Sequence, residues 1–301
     1  MSSVPDAAQA PPRVGPGRRL ASFLHRRPKL QLSLLLAGPL GWLVVAYLGS
    51  LAVLFVAAFW RLDPFTAEII HDYSFGNFRT LWENDVYRAI TQRTVGIAAA
   101  VTVTDALLAF PIAFYMAKVA SPRTRALLLI AVLMPLWASY LVKVYAWRII
   151  LQESGPLNWL LDPFGLDGPG FGNVATWLVF SYLWLPYMIL PVYAGLELIP
   201  RSLLEASADL GGKAPRTFRR VVLPIAFPAV VAGSIFTFSL TLGDYITPQL
   251  VSSTQFIGNV VYTNVGVANN LPLAAAFATV PVAVMVLYLL GARRAGAFES
   301  L

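Results

Sequence analysis

The chain has 301 residues, of which 57% are hydrophobic, 13% aromatic and 12% charged, with no cysteine. Soluble domains carry about 25% charged residues, and with a mean hydropathy of +0.67 this chain has lipid, not water, as its solvent. That composition excludes a disordered chain, argues against a soluble enzyme, and, lacking thiols, excludes disulfides and cysteine-ligated zinc.

Pro, Ala, Gly and Arg dominate residues 1–29, which predict a disordered cytoplasmic tail with a basic juxtamembrane end. A spanning helix needs about 20 mostly apolar residues. The first candidate is the uncharged run from Leu30 to Trp60, too long for a signal peptide. The second, Thr94 to Ala117, contains Asp105. The third, Ala126 to Val142, is short and can continue through Lys143 toward Trp147. Val174 to Leu196, Val221 to Gly243 and Leu271 to Ala292 follow. The reading is an all-α polytopic membrane protein with six transmembrane helices over residues 30–292 and a short tail at 293–301.

Lys and Arg concentrate in cytoplasmic connections. Summed over alternate sides of the six spans, they divide 16 to 6. The richer side holds the N-terminal tail, the turn with Lys118, Arg123 and Arg125, the connection from Glu197 to Arg220, and Arg293 and Arg294. Both termini are therefore expected in the cytoplasm. The net charge of +7 is a topology marker, with no nucleic acid implied.

Pro111, Pro135, Pro186, Pro191, Pro228 and Pro281 fall inside spans and imply kinked helices whose freed carbonyls neighbouring helices must satisfy. Trp42, Trp60, Trp137, Trp147 and Trp177 lie near span ends, where interfacial belts place them. Trp184 and Tyr187 are nearer mid-helix, where they either pack or line a path. An acid within a span is a functional-site hypothesis by default, because lipid exposure is so unfavourable. Asp105 has two readings: a place on the substrate path, or a structural hydrogen bond to Thr102, Thr104 or a neighbouring helix. The outer acids Glu153, Asp162 and Asp167 either receive a partner protein or form a solvated loop face.

No catalytic signature is present: G-x-x-x-x-G-K-[ST], H-E-x-x-H and G-x-S-x-G are all missing. His25 and His71 fall on opposite sides of the membrane and cannot share a metal.

The connection 197–220 carries more information. Ser202-Leu203-Leu204-Glu205 has capping-box spacing, with Ser202 as N-cap and Glu205 at the third helical position. Leu203, Ala206 and Leu210 then share one face, Gly211 ends the helix, and Pro215 opens another. Read alone, this is either a hairpin lying on anionic lipid or a docking element.

Glu205-Ala206-Ser207, Gly211 and Val221-Val222-Leu223-Pro224 resemble the EAA motif of bacterial ABC importer permeases, with Ser207 and Val221 as mild departures. The resemblance implies the type I ABC importer permease fold and makes 197–220 a coupling segment that docks on an ATPase. It assigns Glu205 to capping and ATPase contact, Ala206 to the motif, Gly211 to the turn, and Leu203, Leu204 and Leu210 to apolar docking. A second stretch, Gly243-Asp244-Tyr245-Ile246-Thr247-Pro248, is similar to the signature of the first permease subunit in spermidine/putrescine-type transporters. Val144-Tyr145-Ala146-Trp147 and Gly155-Pro156-Leu157-Asn158 also look like that subfamily, with Lys143 where arginine is common.

The resemblance implies an inner-membrane subunit that hydrolyses nothing. Its partners would be a second permease, two copies of an ATPase carrying ATP and Mg, and an external binding protein. The cargo implied is a polyamine, with opines, phosphonates and other small solutes as alternatives. An ion-coupled secondary transporter is a more distant alternative, for which no internal repeat is visible. Asp244 is the only charged residue between Arg220 and Arg293. With Tyr245 and Thr247 it either meets the ammonium groups of a polyamine, by charge pairing and cation–π contact, or caps a helix ahead of Pro248. Gly211→Asp is expected to abolish uptake while membrane abundance, measured by immunoblot, stays unchanged.

Overall fold

The computed structural model describes residues 27–294. Most of the expected tail, 1–26, and the last residues, 295–301, lie outside the described residues. The chain divides into two compact units between Val56 and Ala57.

Among the described residues the first unit is one helix, α1 (Lys29–Ala57), which runs one residue past the unit's end, with a π turn at Leu43–Leu48 and Pro39 inside it. None of its residues is buried.

The second unit opens on a short antiparallel hairpin, β1 (Arg61–Leu62) and β2 (Ile69–Ile70), pairing Arg61 with Ile70 and Leu62 with Ile69. Asp63 folds its turn: the carboxylate accepts from the Phe65 and Thr66 amides, at 2.8 and 3.1 Å. Those donors hold the acid below the usual carboxylate range. Next come α2 (Gly76–Glu83) and the long span α3 (Asp85–Val119), whose last turn, Tyr115–Val119, is a π turn. Asn84 caps α3 by accepting from the Val86 amide at 2.9 Å.

The third expected span is broken. Helix α4 (Pro122–Trp137) stops at Ala138 and Ser139, both extended, and α5 (Tyr140–Leu151) leaves at 92° to it. The apolar run continues across residues 126–142, but apolarity sets solvent preference and says nothing of direction. Pro135 weakens the last turn before the break. The six-helix plan therefore holds as five long apolar helices plus this bent pair.

The remaining elements are α6 (Pro156–Leu161), α7 (Asn173–Glu197), α8 (Arg201–Asp209), α9 (Ala214–Gly243), α10 (Ile246–Val251), α11 (Ile257–Gly266) and α12 (Leu271–Arg294). Helix α9 has a π turn at Phe218–Val222.

Helices α3, α7 and α9 form the centre and pack on one another. At the end nearest α8 the core is Ala109, Ala113, Met116, Met188, Val192, Leu196, Ile199, Val222 and Ala226. Toward the other end, Val101, Val179, Phe180, Leu183 and Trp184 take over, joined by Val144 of α5 and Val251 of α10. Helix α11 is tied to α3 through Thr94, whose hydroxyl accepts from the Ile257 amide at 3.1 Å. Helix α12 joins by stacking Tyr288 on Phe238, with centroids 4.9 Å apart.

Hydroxyls inside the spans turn back on their own helices: Thr94 donates to Ile90, Thr102 to Ala98 and Thr241 to Thr237, at 2.7 to 2.8 Å. This satisfies them without water.

The α7–α9 crossing depends on backbone proximity, since a Cβ on Gly195 would stand 2.3 Å from that of Ala229. Gly195→Leu is expected to cost at least about 1–3 kcal/mol through overpacking, read as a lower melting temperature in detergent. Gly96→Leu, where the Cβ meets nothing within 4 Å, leaves it unchanged.

Candidate functional site

Two groups of expected site residues lie at opposite ends of the α3–α7–α9 centre. The first is the α7–α9 connection. Pro200, at φ −63° and ψ 141°, is the N-cap of α8, so the helix starts two residues earlier than the Ser202–Glu205 spacing implies. The residue before a first helical turn is extended, and proline fixes φ at a suitable value. Ser202 therefore sits inside the helix, and the expected capping role of Glu205 is not made. Glu205 is instead exposed.

The leucines separate in the same way. Leu204 is half-buried and packs on the core cluster that holds Met116, Leu196 and Ile199. Leu203 is 43% exposed and Leu210 88% exposed, and Ala206 and Glu205 are open beside them. Ser207, facing inward, bonds the Thr217 hydroxyl at 2.8 Å and closes the hairpin. Gly211 ends the helix at φ +75°, as its spacing implied.

The second group surrounds the break between α9 and α10. One carboxylate oxygen of Asp244, Oδ1, accepts from the backbone amides of Ile246 at 2.8 Å and Thr247 at 3.2 Å. The other, Oδ2, accepts from the Thr247 hydroxyl at 3.1 Å and from the phenol of Tyr140. Tyr140 also bonds the Thr247 hydroxyl at 2.7 Å. Asp244 thus caps the start of α10, and Tyr140 fastens the 92° bend to it.

An open cavity of about 410 Å³ lies here, lined by Tyr140, Trp184, Ser239, Leu240, Gly243, Asp244 and Tyr245. Trp184 stacks on Tyr140 with centroids 6.0 Å apart. Tyr245 stacks on Tyr262 at 4.8 Å, and Asn259 holds its carbonyl at 2.8 Å. The carboxylate therefore shares its cavity with three aromatic side chains, Tyr140, Trp184 and Tyr245.

Asp105 is elsewhere, fully buried between α3 and α7. The hydrogen bonds expected from Thr102 or Thr104 are not formed: Thr102 donates to Ala98, and Thr104 accepts from the Trp177 indole at 3.1 Å. Among the described residues, the buried side-chain polar atoms without a hydrogen-bond partner are both Asp105 oxygens, the Ser181 hydroxyl and the Trp184 indole nitrogen. Ser181 lies close enough to Asp105 to influence it, though outside hydrogen-bonding geometry. Trp184, whose indole nitrogen is among them, also lines the Asp244 cavity.

Residues 98–295, well over half of the chain, match the family described as the inner membrane component of binding-protein-dependent transport systems. The chain belongs to that family. The inner membrane ABC transporter permease protein YdcU of Escherichia coli (strain K12) is 46% identical over 309 residues, covering 97% of this chain and 98% of that protein. The spermidine/putrescine transport system permease protein PotB of Haemophilus influenzae is 30% identical over 206 residues, or 66% of this chain and 71% of that one. A bacterial alginate ABC transporter, solved with an alginate pentasaccharide-bound periplasmic protein, aligns with a TM-score of 0.69 over 91% of this chain and 96% of that one, at 16% identity.

The fold is that of type I ABC importer permeases, and the chain is a multi-pass inner-membrane transport subunit, not an enzyme. In this permease the sequence pattern found Asp244 but not its partner Tyr140, which lies 104 positions away in the chain. It also found Gly211 but passed over Gly212. A Cβ on Gly212 would lie 2.5 Å from the Ser207 carbonyl, whereas one on Gly211 meets nothing within 4 Å. Gly212→Ala is expected to disrupt the hairpin and lower ATP-driven uptake at least about tenfold, as a loss of about 1.4 kcal/mol does. Gly211→Asn, a residue that tolerates positive φ, retains most uptake.

Proposed function

We propose that this permease passes small cationic amines, polyamines such as spermidine and putrescine, through a path that includes Asp244. The observation that carries the reading is the carboxylate of Asp244 in a cavity also lined by Tyr140, Trp184 and Tyr245. Its hydrogen bonds orient the charge without neutralising it. Among the described residues the ion pairs are Arg61–Asp72, Arg79–Glu83, Arg88–Asp85 and Arg125–Glu197, and none involves Asp244. An alkylammonium supplies the missing positive charge and gains about 0.5–2 kcal/mol from each well-placed aromatic face. Asp105, buried with Ser181 beside it, is a second polar station in the bundle. The named activity of the PotB relative supports the same substrate class.

In this reading both termini are cytoplasmic, following the 16-to-6 division of bases. A second permease completes the cavity, and an external binding protein delivers cargo. Two ATPase copies carry ATP and Mg and receive the exposed strip of α8, Leu203, Glu205, Ala206 and Leu210. ATP binding turns the cavity outward, and hydrolysis resets it.

The test is radiolabelled putrescine and spermidine uptake by the reconstituted complex, with opines and amino acids as competitors. Uptake is expected to require ATP and the binding protein and to be competed by polyamines. Asp244→Asn keeps the capping oxygen but removes the charge, and is expected to raise KM about tenfold, equivalent to about 1.4 kcal/mol. Polyamines that neither accumulate nor compete would overturn the substrate assignment.

A further inference from the structure

The basic turn between α3 and α4 holds Lys118, Arg123 and Arg125, which topology alone explains as charges on the cytoplasmic side. Two of them do more than face solvent. Lys118, in the π turn of α3, donates to the Ile199 carbonyl at 2.6 Å, just before α8 begins. Arg125, in the first turn of α4, donates through Nε to the Met116 carbonyl at 3.0 Å and through Nη2 to the Ala117 carbonyl at 3.4 Å. Its third nitrogen, Nη1, pairs with Glu197, the last residue of α7, at 3.2 Å. Two side chains therefore join the end of α3, the start of α4, the end of α7 and the lead into α8.

We propose that Lys118 and Arg125 transmit the movement of α8 to the α3–α4 turn, so that the ATPase stroke reaches the membrane helices. This inference rests on the docking role given to α8 above. The geometry favours it in three ways. Ile199 is 2% exposed and lies in one apolar cluster with Met116, Ala117 and the inward Leu204, so the polar links and the packing carry displacement along the same route. Arginine's planar fork fixes direction as well as distance, which a single point charge does not. The carbonyls it holds belong to a helix end, where backbone acceptors lack intrahelical partners and cations are favoured. Lys118 and Arg125 are positioning residues in this scheme: neither needs to touch substrate or nucleotide.

The absence of cysteine from the chain permits a direct test. Nitroxides on Val86→Cys and Val174→Cys, exposed positions at the starts of α3 and α7, report their separation in the full complex of both permeases, ATPases and binding protein. Trapping with ATP and vanadate is expected to shift that distance in the otherwise unaltered complex. Lys118→Met should abolish the shift while ATP hydrolysis continues within about twofold, and Lys118→Arg should restore it, since a charged donor remains. Arg125→Met should reproduce the Lys118→Met result. Lys118→Gln, which keeps an uncharged donor, serves if the methionine variant fails to assemble, and should reduce the shift. A purely structural staple would lower assembly or melting temperature but leave hydrolysis and movement linked. An undiminished shift in an assembled Lys118→Met or Lys118→Gln complex would overturn the proposal. The docking role of α8 has its own control in Leu210→Asp. If that variant leaves both hydrolysis and shift intact, the fault lies with the docking role.

Discussion

Lipid offers no hydrogen bonds, and this constraint organises the permease. Every polar atom inside the spans must find a partner in the chain or carry the cost of having none. Thr94, Thr102 and Thr241 turn their hydroxyls back to carbonyls one helical turn away, and the Trp177 indole reaches across to Thr104. Where the backbone breaks, between α9 and α10, the free amides of Ile246 and Thr247 are taken up by Asp244. The same carboxylate then holds Tyr140, so the cap of one break secures the bend of another. Against that economy, the unpartnered oxygens of Asp105 stand out, and a functional reading of them is the natural one.

The two ends of the molecule solve different mechanical problems. Around Asp244 short helices, aromatic stacks and a capped break form an open cavity on a rigid frame. Around α8 the frame is an apolar cluster, cross-linked by charged side chains that bond to backbone carbonyls. Between them run α3, α7 and α9, packed closely enough at Gly195 that no side chain fits there.

Much of this was legible in the residues. Uncharged runs located the spans, the distribution of bases separated the connections into two classes, and Gly211 marked the end of α8. What escaped has common physical causes. The 92° turn at Ala138 and Ser139 lies inside an apolar run, and hydropathy reports the solvent of a segment, not its direction. The start of α8 at Arg201 reflects Pro200, whose fixed φ outweighs the Ser202–Glu205 spacing. Tyr140 and Asp244, or Lys118 and Ile199, meet only after folding, and a single chain carries no local signal of such distant pairs. Leu203 and Leu204 are chemically alike, so only the packing of Met116 and Ile199 shows which one turns inward.

The π turns at Tyr115–Val119 and Phe218–Val222 have a further consequence for how this family can vary. A π turn holds one residue more than an α turn, so it absorbs an insertion without moving the rest of the helix. Deleting one residue from such a turn would restore regular winding and leave the helix beyond it in place, whereas deleting one from an ordinary α turn would rotate everything beyond it by about 100°. Phe218, in the second of these turns, meets Phe110 of α3 edge to face, with ring centroids 5.3 Å apart. A register shift in either helix outside these turns would carry one ring off the other.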